Sequence, residues 1–162
     1  AKPGTEVATY NAELGAPFIV AVEPAVSILQ DQGAKIVYSW PEQLGDRVFS
    51  GLMVRQSALR SKPKMYGSAL RAYQRALNDI SARKPSVTET ARAYFPNLES
   101  DELSNALGRL TDEGVFPRSL SITPASWNSA VEARRKVGDL SGPASYENNV
   151  ADQFTMDAIA QD

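Results

Sequence analysis

The chain has 162 residues, of which 43% are hydrophobic and 22% charged. Seventeen basic side chains meet 19 acidic ones, for a net charge of −2. That length suits one domain, and no basic run or stripe marks a nucleic-acid face. Histidine and cysteine are absent, which excludes disulfides, thiolate metal sites, Ser-His-Asp and Cys-His catalysis, and the commonest transition-metal ligand. No apolar stretch approaches the roughly 20 residues that cross a bilayer. A hydrolase of ordinary type is thereby disfavoured and a carboxylate-only enzyme stays open; the expectation is a protein that is not an enzyme, with no cofactor and no metal site.

Residues 17–22 are apolar and partly β-branched, which predicts a strand buried on both faces. It ends in Glu23-Pro24. Pro24 suits the first position of a helix, Ala25, Val26, Ile28 and Leu29 give that helix an apolar face, and Gly33 stops it. Residues 35–39 then read as a second strand, so a strand–helix–strand unit with a parallel pair is predicted. A loop over 40–46 follows, and residues 47–54 read as a third strand.

Beyond that the pattern is helical. Tyr66, Ala69, Leu70, Tyr73, Ala76, Leu77 and Ile80 recur at three- and four-residue steps after Ser61 and Pro63. Ser86-Val87-Thr88-Glu89 reads as a capping box, opening a helix that runs to Pro96. Ser100 is read as the cap of the next helix, with Leu103, Ala106, Leu107 and Leu110 as its face and Gly114 as its stop. Thr123-Pro124 opens another, with Trp127, Ala130, Val131 and Val137 along one side and Arg134, Arg135 and Lys136 in its last turn. A final helix is predicted over 147–160. Tyr66, Tyr73, Tyr94 and Trp127 are assigned to the core.

Three strands do not cover five apolar helix faces, and a strand buried on both faces needs neighbours on both edges. The expected fold class is therefore α/β, with few strands followed by a mostly helical region, as the C-terminal part of a larger α/β protein. In open α/β sheets ligands sit beyond the carboxyl ends of the strands. Glu23, Ser39 and Trp40 fall there, a carboxylate, a hydroxyl and a large aromatic suited to a small molecule. Glu23 as a plain helix cap and Trp40 as a packed loop aromatic are the structural alternatives.

The residues Phe18-Ile19-Val20-Ala21-Val22-Glu23-Pro24, then Gly45-Asp46-Arg47-Val48-Phe49-Ser50-Gly51-Leu52-Met53-Val54, then Tyr73-Gln74-Arg75-Ala76-Leu77 and Ala93-Tyr94-Phe95-Pro96 occur in a telling order. With Tyr146 to Phe154 at the end, this order resembles the NMT1/THI5-like group of ABC-transporter substrate-binding proteins, periplasmic binding proteins of type II. The resemblance covers nearly the whole chain from about Leu14. It implies a two-lobed periplasmic-binding-protein-like fold that captures a small organic molecule, such as a nitrogen heterocycle or a sulfonate, between its lobes, with residues 1–46 a remnant of the second lobe and the cleft-lining crossover and residues 47–162 the C-terminal part of the first lobe. It also implies a membrane permease as partner, and a periplasmic or extracytoplasmic location with a possible lipid anchor on the precursor. Within the group the acid of the Glu-Pro turn tends to face the cleft. A related pyrimidine-synthase type of enzyme depends on histidine and a reactive lysine, which disfavours it here. A helical protein-interaction domain with no small-molecule site is the third reading, and it gains if the chain's own side chains fill the rim from Glu23 to Trp40.

Overall fold

The computed structural model describes residues 4–12, 18–45 and 48–160. Among the described residues it contains ten helices and no strand. They are α1 (Glu6–Ala12), α2 (Ala25–Asp31), α3 (Trp40–Leu44), α4 (Gln56–Ser61), α5 (Pro63–Ser81), α6 (Pro85–Tyr94), α7 (Ser100–Asp112), α8 (Pro124–Lys136), α9 (Tyr146–Asn149) and α10 (Asp152–Ile159). The expected α/β class, a periplasmic-binding-protein-like fold with a few strands, is thereby overturned. The physical reason is pairing. A strand exists only as part of a ladder, and even a lone hairpin is marginal in water. Residues 18–22, 35–39 and 48–54 find no such neighbour among the described residues, so they run as irregular segments with most of their apolar side chains exposed and Ile19, Ala21 and Val48 half-buried. Phe18 is 75% exposed, Val37 83% and Phe49 90%. Of the strand predicted over 47–54, Arg47 lies outside the described residues.

The chain forms two compact units, neither continuous in sequence. The first comprises Ala1–Trp40 and Ile80–Phe116, the second Pro41–Asp79 and Pro117–Asp162. In the first unit α7 packs against α2 and α6, and α1 packs against α2. Its core is small: Ala25 and Leu29 from α2 meet Leu103 and Ala106 from α7, all buried. Turns with left-handed glycines close both helices. At Gly33, φ is +93°, its N–H donates to Gln30 O, and Ala34 N–H donates to Leu29 O. Gly114, φ +67°, ends α7 in the same way.

The second unit is held as much by polar contacts as by apolar ones. Its buried residues include Gly67, Val131 and Ala158. Gln74 on α5 donates to Arg118 O at 2.9 Å and accepts from Leu120 N–H at 3.1 Å. That inward amide explains why the face of α5 is rotated from the predicted one. Gly67, Leu70, Gln74 and Leu77 point inward or are half-buried, while Tyr73 is 51% exposed. Tyr94 on α6 is 79% exposed, so two of the four aromatics assigned to the core lie at the surface. Trp127 is half-buried and donates its indole N–H to Ala144 O at 2.8 Å.

Helix starts shift by a residue or two. The cap of α6 is Lys84 with Pro85 at the first position, so Ser86 lies inside the helix and its carbonyl accepts from the Thr90 hydroxyl. Likewise the cap of α7 is Glu99, whose N–H donates to the Glu102 carboxylate at 2.9 Å. Thr123 caps α8 as expected, accepting from Ser126 N–H. The single helix predicted at the end divides at Val150, which is extended at φ −116° and ψ 126°. The break lets Asp152 accept from the Ser121 hydroxyl and the Ile122 N–H, while the Tyr146 hydroxyl donates to Ile122 O.

Candidate functional site

The first unit brings two of the three sequence-predicted site residues into one polar network. Glu23 immediately precedes the Pro24 cap of α2. Its Oε2 accepts from the Ser27 N–H at 3.1 Å, satisfying one of the open donors of the first helical turn. Its Oε1 accepts from Arg109 Nε at 2.6 Å. The Glu23 side chain is only 6% exposed and that of Arg109 23%. A buried carboxylate requires such a counter-charge, because an unpaired one carries a large desolvation cost.

Arg109 extends the network in two further directions. Its Nη2 donates to the Gln30 side-chain oxygen, and its Nη1 lies 4.0 Å from Glu113 Oε1, one helical turn along α7. The Ser39 hydroxyl donates to Glu113 Oε2 at 2.9 Å. A continuous path therefore runs from Ser39 through Glu113 and Arg109 to Glu23 and the start of α2. Its planar fork suits arginine to holding several acceptors at once.

Trp40 lies beside this network in sequence but makes its contact elsewhere. Its ring meets that of Tyr38 edge-on, with centroids 5.0 Å apart and planes at 71°. That geometry is favourable for an aromatic pair. Both rings are about half exposed, Tyr38 at 53% and Trp40 at 54%. Glu23 and Ser39 thus make a common network, with Trp40 in an exposed aromatic pair at its edge.

Arg109, Glu113 and Gln30 are the members that sequence reasoning missed. One signal was present: Arg109 on α7 and Glu113 at its C-cap stand four residues apart, a spacing that places them on one face. Nothing in the sequence linked that face to Glu23, 86 residues away. Among the described residues no group of three or more acidic, histidine or cysteine side chains could hold a metal ion. Among the same residues, no helix is long and apolar enough to cross a membrane. Comparison with protein-family models, curated proteins and solved structures finds no match to this chain.

Proposed function

We propose that this chain acts in solute capture, as the solute-binding component of an ABC importer that holds a small organic molecule without changing any bond. The observation that carries the reading is the exposed Tyr38–Trp40 pair at the edge of the Glu23–Arg109–Glu113–Ser39 network. A half-exposed aromatic next to fixed charges offers a stacking face and polar groups to orient a ligand. The order of segments that resembles the substrate-binding group supports the same reading. Glu23 would reach a ligand by exchanging Arg109 for a ligand N–H, since both of its oxygens have partners.

The test is native mass spectrometry of the complete gene product, purified from its own cells. A small-molecule adduct that is released on denaturation, and that Trp40→Ala loses, is expected. A second reading, a helical protein-interaction module, is favoured by the internal satisfaction of Glu23 and Ser39. A co-purifying polypeptide with no small-molecule adduct would replace the first reading with the second.

A further inference from the structure

The three methionines of the chain are unequally placed. Met53 is 97% exposed, Met65 52% and Met156 43%. Met65 stands in the first turn of α5 and Met156 within α10, whereas Met53 lies in the irregular segment before α4. The chain has no cysteine, so these thioethers are its only sulfur atoms. With no thiolate to compete, a peroxide that meets this protein meets a thioether first.

Access then decides which one reacts. Oxygen transfer requires the peroxide to reach the sulfur, and water to solvate the leaving group. Met53 offers both. A Cβ built on its near neighbour Gly51 meets nothing within 4 Å, so the segment is open there too. Met53 also belongs to an apolar run, with Phe49 90%, Leu52 60% and Val54 42% exposed. A sulfoxide in that run puts a strongly polar S–O group where an apolar side chain stood.

We infer that Met53 is an oxidation site, and that its sulfoxide turns the surface of residues 49–54 from apolar to polar. The oxidant is hydrogen peroxide. The thioether sulfur attacks one peroxide oxygen, and an S–O bond forms as the O–O bond breaks. The departing hydroxide takes the proton of the transferred oxygen and leaves as water. Sulfur loses two electrons and the peroxide gains them. Methionine sulfoxide reductases, one for each sulfoxide epimer, reverse the change. The site lies in the second unit, apart from the Glu23 network in the first, and it is independent of the solute-capture reading.

The test treats the full chain with limiting hydrogen peroxide and follows each sulfoxide by mass spectrometry of its proteolytic peptide. Met53 should oxidise at least about twofold faster than Met65 or Met156, in the order of their exposure. In concentrated urea the three rates should converge, because folding alone separates them. On a hydrophobic-interaction column the singly oxidised native chain should elute earlier, and treatment with both reductases should restore its position. Met53→Leu keeps the apolar area and lacks the sulfur, so the same dose of peroxide should leave its elution unchanged. The inference fails if Met65 or Met156 oxidises as fast as Met53 in the folded chain, or if Met53 keeps its lead in urea. It fails equally if oxidation leaves the elution of the parent chain unchanged, or if Met53→Leu shifts as far as the parent.

Discussion

At the scale of single residues, Arg109 decides whether the first unit holds together. It is the counter-charge of a carboxylate that is 6% exposed, and it also touches Gln30 and Glu113. Removing one partner of a buried ion pair leaves the other charge uncompensated, which typically costs 3–5 kcal/mol. Arg109 is itself about a quarter exposed, so water will reach part of the gap. Arg109→Ala should therefore cost about 3 kcal/mol, near the lower end of that range, measured by urea unfolding. A loss below about 0.5 kcal/mol, the size of an ordinary surface change, would show that Glu23 does not depend on it. Ser27 makes the opposite case. Its hydroxyl is buried at 1% exposure and has no hydrogen-bond partner among the described residues. An unsatisfied buried polar group costs about 1–3 kcal/mol. Ser27→Ala should raise the unfolding midpoint or leave it unchanged. A clear fall would mean that the hydroxyl is satisfied.

At the scale of elements, the sequence was most legible where a turn signal and a helical period coincided. Thr123-Pro124 opens α8, Pro63 opens α5, and Gly33 and Gly114 close α2 and α7, because these residues act locally through φ and open N–H groups. Apolar runs were misleading, since a run of β-branched residues becomes a strand only when another strand meets it. The face of α5 was misjudged for a related reason: Gln74, a polar residue, turns inward to hold the backbone at 118–120, and Tyr73 turns out. Of the candidate site, Glu23 and Ser39 were legible as the ends of apolar segments, but their link through Arg109 and Glu113 is a long-range contact with no local signature. The junction of α9 and α10 gives a pH prediction. Desolvation at Tyr146, then the charge of Asp152 and its hydrogen bond, hold the phenol above its ordinary value of 10.0. The folded state therefore keeps a proton that the unfolded chain releases. The associated stability is fully present below about pH 10 and is lost as pH rises through the folded value. Absorbance titration should show one of the six tyrosines ionising after the rest, and Tyr146→Phe should remove that late step. A titration curve unchanged in shape by the substitution would overturn the assignment.

At the scale of the whole molecule, the balance of buried and exposed apolar surface is unusual for an isolated helical protein. The buried apolar set among the described residues is Ala25, Leu29, Leu103, Ala106, Val131 and Ala158, while Phe18, Val37, Phe49 and Met53 are each at least 75% exposed. Single exposed apolar residues are ordinary, but contiguous ones form a patch of the kind found at interaction sites and at sites of self-association. Residues 49–54 are the sharpest instance, with Phe49 90%, Leu52 60%, Met53 97% and Val54 42% exposed. If those side chains contribute nothing to folding of this chain, replacing them should be almost free. Phe49→Ser with Met53→Gln should change stability by less than about 0.5 kcal/mol, the range of surface substitutions. The same double substitution should lower the binding of a hydrophobic dye and reduce self-association in sedimentation, because both report exposed apolar area. A loss of 3–5 kcal/mol, the usual cost of truncating a buried Phe, would place residues 49–54 in the core of the folded chain and remove the exposed surface from the argument. Unchanged dye binding with unchanged stability would instead point to residues 18–22 and 36–40 as the exposed apolar area that the dye reports.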